Sequence, residues 1–449
     1  MTLFGTDGIR GAANHYPMTP EVALAVGRAG GTLLRGGGRD RRVVIGKDTR
    51  LSGYMLEPAL TAGFIASGVD VMLLGPIPTP AVAFLTRSMR ADLGVMITAS
   101  HNSYTDNGIK LFGSDGYKLP DVFEETIERL VNENTWQEGG TTGVARRYED
   151  ARGRYLERIK STIPRDLSLK GMKVVVDCAH GAAYEIAPRL LFELGGDVIA
   201  IGVDPDGVNI NAGCGATDTA LLARTVREKG ADMGIALDGD ADRLILVDET
   251  GTVIDGDRII AAIVDDTYRR PCLNSPIIVG TVMTNLGLER FLTGLNLELL
   301  RTAVGDRFVV EAMRTNGAYI GGEPSGHIVI AQHGTTGDGL VAALQIAAIA
   351  VSNGRRVSEV CDCFEPLPQL HRTLPLADRR CLEQSDRTSS VQRLVTDAER
   401  ELAGQGRLVV RPSGTEPLLR MMVEADDPEV ASAVLDRMTE QFSDLLNAA

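Results

Sequence analysis

The chain has 449 residues, with 46 Lys and Arg against 60 Asp and Glu, and 44% of it is apolar. That length suggests about two to four domains and a sizeable core, which excludes a disordered chain. A formal charge of −14 argues against a general binder of nucleic acid or acidic membrane, and leaves room for a small anion in a local basic pocket.

The opening Met1–Asp7 has neither the basic nor the apolar region of a secretory signal. The first recognisable elements belong to a unit written three times. Each copy opens on a β-branched run: Arg42–Gly46, then Lys173–Asp177, then Pro276–Gly280. Runs apolar on both faces suit strands covered on both sides. A helical pattern follows in each, near 54–67, 182–195 and 286–295. Second strands are predicted at Val69–Leu74, Asp197–Ile201 and Leu297–Leu300, and second helices near 79–89, 217–229 and 307–316. The third strands begin alike in two copies, Ala91-Asp92-Leu93-Gly94 and Ala231-Asp232-Met233-Gly234; the third copy reads Gly317–Gly322. The expected fold is therefore α/β: three tandem similar domains with mainly parallel sheets. The predicted domains are 1–152, 153–256, 257–367 and 368–449. Leu340–Val351 is the longest apolar run and is too short to span a bilayer. The tail differs. Gln369–Asp397 is polar and mixed, Arg407–Val410 and Leu418–Glu424 read as strands, and Pro428–Leu446 reads as an amphipathic helix, giving a smaller C-terminal α+β domain. Six cysteines without a CxxC form no disulfide framework or zinc ribbon, and a cytoplasmic, reducing location is expected.

In open α/β sheets ligands bind beyond the carboxyl ends of the strands, and there the three copies differ. The first runs into Thr98-Ala99-Ser100-His101-Asn102. Ser100 can be a nucleophile or phosphate carrier, although GxSxG is absent. His101, its chain neighbour, is poorly placed as its base and is expected to brace the loop. The second runs into Asp238-Gly239-Asp240-Ala241-Asp242-Arg243. Three carboxylates so spaced repel unless a cation joins them, and hard oxygen ligands favour Mg²⁺ or Ca²⁺. An EF-hand fails because Arg243 occupies the position that needs Gly. The third runs into Gly322-Glu323-Pro324-Ser325-Gly326-His327. Glu323 and Ser325 can bond vicinal hydroxyls, and His327 can move protons near neutral pH. In the tail, Arg411-Pro412-Ser413-Gly414-Thr415-Glu416-Pro417, with Arg420 beyond, is a plausible phosphate cradle; no Walker A or GxGxxG motif occurs. Arg10 and Lys110 add positive charge in Gly8–Gly11 and Asp106–Lys110.

Those four loops, in this order, resemble the α-D-phosphohexomutase superfamily over essentially the whole chain. Phe4–Gly11, Asp106–Lys110, Asp115–Leu119 and Val304–Arg307 are similar to its bacterial branch acting on glucosamine phosphate. Two positions depart from the pattern. Ser103 stands where the superfamily usually has Pro, which is expected to loosen the serine loop, and Pro324 where that branch usually carries Gln.

The resemblance implies four domains around a central cleft and interconversion of glucosamine 6-phosphate and glucosamine 1-phosphate, supplying cell-wall amino sugar. The alternatives are the same reaction on glucose or mannose phosphate, or a metal-dependent phosphatase. Ser100 would carry phosphate, with a 1,6-bisphosphate as intermediate and activator. One Mg²⁺ would take oxygens from Ser100, Asp238, Asp240 and Asp242. Charge on Arg10, Lys110 and Arg243 would balance the phosphoserine. Lys110 and His327 would transfer protons. Arg243, Glu323 and Ser325 would hold the sugar phosphate, with Arg411, Ser413, Gly414, Thr415 and Arg420 on its distal phosphate. The expected partner is a small sugar phosphate, without nucleic acid or membrane; a homodimer is allowed.

Overall fold

The computed structural model of the chain describes residues 3–5, 7–34, 41–136, 140–270, 273–376, 385–412 and 417–447. They fall into two units, Met1–Thr281 with Thr302–Cys363, and Val282–Arg301 with Phe364–Ala449.

The first unit carries the repeats. One sheet runs in the order Ile9–Ala12, Asp106–Gly113, Leu93–Ile97, Arg42–Lys47, Asp70–Pro76, Ala145–Arg147. A second runs Val253–Ile254, Leu244–Asp248, Met233–Leu237, Lys173–Asp177, Asp197–Ile201. In the third, Ile277–Thr281 is parallel to Ile320–Gly322, which pairs antiparallel with Ile328–Ile330. The repeat strands pair in parallel, and each third strand then turns back in an antiparallel hairpin. The hairpins close at Ile97 with Ile109, Leu237 with Leu244, and Gly322 with Ile328. The serine, aspartate and sugar loops are the connections of these three hairpins.

The repeated Ala-Asp-x-Gly has the same job twice. Asp92 accepts the Arg42 N–H at 2.8 Å and Asp232 accepts the Lys173 N–H at 2.7 Å, so each carboxylate caps the start of the neighbouring parallel strand. A Cβ on Gly94 would lie 2.2 Å from the Thr86 Oγ1, and one on Gly234 2.8 Å from Val226, so both glycines let a helix press onto the strand. All five residues of Leu93–Ile97 and of Met233–Leu237 are buried. Each large aliphatic side chain among them contributes roughly 1.5–3 kcal/mol on burial. This burial fixes the strand ends from which the two loops leave. The apolar run at 340–351 is the core of the helix Gly339–Asn353. Among the described residues no helix is long and apolar enough to cross a membrane.

In the second unit the order is Gln369–Pro375, Leu418–Ala425, Gly406–Pro412, all antiparallel. The helices Ser385–Glu401 and Pro428–Asn447 cover it around Leu402, Val423, Val434, Met438 and Phe442. The polar stretch 369–397 thus holds a strand and most of a helix. The helix Leu286–Gly294 belongs to this unit: the Leu286 N–H donates to Glu424 at 2.7 Å, and Asn285 exchanges two 3.0 Å bonds with the Leu367 backbone.

Candidate active site

Ser100 is buried and has a left-handed backbone, φ 52°. For a residue with a Cβ this costs about 1 kcal/mol or more, so the surroundings must hold it. Its N–H donates to the Thr98 Oγ1 at 2.9 Å, and its carbonyl accepts from Arg50 and from Asn211, both at 2.9 Å. Thus fixed, its Oγ donates to the Asp238 carboxylate at 2.7 Å. The His101 Nδ1 lies 3.4 Å from that Oγ, a weak contact. Burial, then Arg243 and Arg10, push the His101 pKa down to about 4, so the ring is neutral at pH 7 and adds no charge. At Ser103, where a looser loop is expected, the carbonyl accepts from Arg50 and, at 3.2 Å, from the Asp106 N–H.

The aspartate trio lies against this serine. Asp238, Asp240 and Asp242 are buried and can bring one oxygen each within 4.8 Å of the others. Burial, followed by Asp242 and Asp240, drives the Asp238 pKa well above its ordinary value. Asp242 goes the other way. Burial would raise it, but Lys110, His327 and Arg243 outweigh burial and hold it low. One buried oxygen of Asp240 and one of Asp242 have no hydrogen-bond partner among the described residues. Orphan carboxylate oxygens in a dry, crowded trio are the donor set that a hard divalent cation satisfies.

Lys110, on the strand Asp106–Gly113, reaches Asp240 at 3.1 Å and both Asp242 and Asp7 at 3.3 Å. Burial opposes its charge, but Asp240, Asp7 and Asp242 more than offset this, and its pKa lies well above the ordinary value. Asp7 also pairs with Arg10 and Lys118, and Lys118 bridges to Asp306. Arg243 keeps its place through its N–H to Asp238 at 3.2 Å and a backbone bridge with His327. His327 is buried, 3.8 Å from Asp242 and 3.7 Å from Asp306. Burial disfavours its charged form, and Asp242, Asp306 and Glu323 override burial, so its pKa is raised. The Gly337 N–H points at Nε2, 3.1 Å away, so when the ring is neutral this contact favours the tautomer with its proton on Nδ1, towards Asp242. Glu323 accepts the Gly305 N–H at 3.0 Å, and the exposed Ser325 stands 3.5 Å from it.

The first unit therefore brings together Ser100, Arg10, Lys110, Asp238, Asp240, Asp242, Arg243 and His327, with Glu323 beside Gly305. Arg411 and Arg420 are in the second unit, directly opposite each other on paired strands. Ser413, Gly414 and Thr415 lie outside the described residues. Sequence reasoning assigned no role to Arg50, Asn211, Asp7, Lys118 or Asp306. The last three stand in quoted motifs, and Arg50 follows Asp48-Thr49 after the first repeat strand, where a charged loop at a strand end was the available signal. Gly337→Ala should disturb this site, because a Cβ there would lie 2.6 Å from the His327 ring and 2.7 Å from the Asp242 carbonyl oxygen. A stability loss of about 1–3 kcal/mol is expected in denaturant titration, together with reduced turnover.

Comparison with known proteins gives a consistent result. The domains described for phosphoglucomutase/phosphomannomutase match in order: alpha/beta/alpha domain I over residues 1–138, domain II over 153–251, domain III over 255–367, and the C-terminal domain over 373–441. The chain is 55% identical over 449 residues to the phosphoglucosamine mutase of Rhizobium rhizogenes, covering 99% of each. It is 57% identical over 427 residues to that of Allorhizobium ampelinum, covering 94% of each. A solved phosphoglucomutase/phosphomannomutase family protein from Burkholderia thailandensis matches with TM-score 0.82 at 25% identity, covering 100% of this chain and 97% of that one. The N-acetylphosphoglucosamine mutase of Aspergillus fumigatus, solved with GlcNAc-6P and magnesium, shares the fold at TM-score 0.67 and 18% identity, covering 99% and 96%.

Proposed function

We propose, on the premise that this chain belongs to the α-D-phosphohexomutase superfamily and its bacterial phosphoglucosamine mutase branch, that it interconverts glucosamine 6-phosphate and glucosamine 1-phosphate through a phosphoserine at Ser100. The observation that carries this reading is the 2.7 Å bond from the Ser100 Oγ to Asp238, inside a trio with two carboxylate oxygens that have no partner among the described residues.

Phosphoserine 100 donates its phosphoryl group to the free hydroxyl of the bound monophosphate. The Oγ–P bond breaks, a sugar O–P bond forms, the hydroxyl proton leaves the sugar and a proton arrives at the Oγ. The product is the 1,6-bisphosphate. After it turns over, its other phosphate returns to Ser100 by the same step in reverse. Lys110 and His327, both against Asp242, are assigned the proton transfers at the sugar oxygen; Lys110, held charged by its carboxylate neighbours, can donate but not accept, which leaves acceptance to His327. Arg10 and Arg243 place positive charge beside the serine loop, and Asp7 holds Arg10, Lys110 and Lys118 in one cluster. Asp238, Asp240 and Asp242, together with Ser100, are assigned one Mg²⁺ per chain. A divalent ion held by these residues would supply charge neutralisation to the phosphoryl group. Glu323 and Ser325 accept and donate to ring hydroxyls in either orientation of the sugar. Pro324 serves the loop through its backbone, its carbonyl accepting the Gly256 N–H at 3.0 Å, so anchoring the loop needs no amide side chain there.

The distal phosphate is assigned to Arg411 and Arg420, with Ser413, Gly414 and Thr415 between them. The two arginines stand opposite each other in the strand register, and guanidinium groups are well suited to bind a phosphate through paired charge-assisted hydrogen bonds. Arg411→Ala should raise KM by about tenfold or more through the loss of a charge-assisted pair; an unchanged KM would move the phosphate site elsewhere. We place the reaction in the cytoplasm, on the cysteine usage above.

A mutase assay on glucosamine-, glucose- and mannose-6-phosphate tests the substrate. Preference for glucosamine is expected. Preference for glucose or mannose would overturn the sugar assignment, and steady release of inorganic phosphate would point to hydrolysis.

A further inference from the structure

We infer that Arg50 and Asn211 are positioning residues for phosphoryl transfer, a clamp on the peptide carbonyls of the serine loop that holds Ser100 in its left-handed conformation facing the aspartate trio. The inference rests on the phosphoserine reading above.

Arg50 is fully buried and spends its guanidinium on the loop. Nε donates to Asp48 at 2.8 Å, Nη2 to the carbonyls of Ser100 at 2.9 Å and Asn102 at 2.7 Å, and Nη1 to the carbonyls of Ser103 and, at 3.1 Å, Asp106. The circuit closes through the other end of the Ser100 residue. Asp48 accepts the Thr98 hydroxyl at 2.7 Å, and the Thr98 oxygen accepts the Ser100 N–H at 2.9 Å. One charged network therefore grips both the N–H and the carbonyl of Ser100. The rigid fork of an arginine suits this, since five donors in fixed directions meet a set of carbonyls that a lysine could not span.

Asn211 adds the same grip from the second repeat. Its Nδ2 donates to the carbonyls of Ser100 at 2.9 Å and Asn102 at 3.0 Å. Its own backbone is left-handed, φ 58°, and its N–H is tied to the Ala179 carbonyl at 2.9 Å. It also sits against the metal loop, for a Cβ on Gly239 would lie 2.9 Å from its Nδ2 and 2.6 Å from the Ser100 carbonyl oxygen. Asn211 therefore sets the serine loop and the aspartate loop relative to each other. A reacting atom displaced by about 1 Å loses about 100-fold in rate.

The test uses Asn211→Gly, which keeps the left-handed backbone and removes the amide, and Arg50→Lys, which keeps the charge and removes the fork. Intact mass follows uptake of phosphate by Ser100 from glucosamine 1,6-bisphosphate, beside steady-state kinetics. For Asn211→Gly the expected result is kcat and phosphate uptake both reduced by about tenfold or more, with KM within about twofold of the wild type; Arg50→Lys should show a larger loss in the same direction. Should Arg50→Lys fail to fold, Asn211→Gly decides alone. Wild-type uptake and kcat in Asn211→Gly, or a change confined to KM, would overturn the clamp. A wild-type protein that takes up no phosphate at Ser100 would instead sink the phosphoserine reading.

Discussion

Ser100→Ala is expected to abolish mutase turnover, with kcat lowered by on the order of 10⁴-fold or more, the scale seen when a nucleophile is removed. The fold should survive. Alanine meets the same left-handed strain as serine, and the lost interactions are the Oγ bond to Asp238 at 2.7 Å and the weak 3.4 Å contact with His101, a stability change of about 1–3 kcal/mol. Adding glucosamine 1,6-bisphosphate should not restore turnover, because the bisphosphate can only prime a hydroxyl that is present. This separates a missing carrier from an unprimed one. Normal turnover in the alanine variant would remove the phosphoserine from the mechanism.

Asp240→Asn should weaken the metal dependence more than it weakens the fold. The asparagine oxygen can still accept the Thr79 hydroxyl, which now bonds Asp240 at 2.5 Å. What disappears is the carboxylate counter-charge 3.1 Å from the Lys110 ammonium. Asp240 is one of the largest supports of the raised Lys110 pKa, so its loss brings that pKa down. The Mg²⁺ concentration for half-maximal rate is expected to rise by about tenfold or more, with a parallel fall in kcat. An unchanged Mg²⁺ requirement would count against the trio as the metal site.

Sequence carried the repeat because its signals are local. The β-branched runs, the 3.6-residue patterns after them and the two Ala-Asp-x-Gly strand starts each report on a few neighbouring residues, and the observed strands and helices lie within a few residues of those expectations. The aspartate trio was legible for a related reason. Charges at i, i+2 and i+4 conflict within a single loop, and the conflict needs a cation to resolve it. The supports of the site were hidden because they act across the fold. Arg50 and Asn211 reach Ser100 over 50 and 111 residues of chain, and Lys118 meets Asp306 over 188. No spacing rule joins such partners. Ser103 shows the consequence. Replacing a proline there suggests a looser loop, yet Arg50 holds the Ser103 carbonyl from outside it. The helix Ser385–Glu401 was missed for a different reason. Val391, Leu394, Val395, Ala398 and Leu402 have helical spacing and face the C-terminal core, but the serines and charges around them mask the stripe.

The most direct test of the shuttle at Ser100 is the intact mass of the wild-type chain before and after incubation with glucosamine 1,6-bisphosphate, followed by peptide mapping. One added phosphate, located on Ser100 and discharged again by glucosamine 6-phosphate, is the predicted result. No added phosphate in a chain that still turns over substrate, or a phosphate on any other residue, would contradict the account.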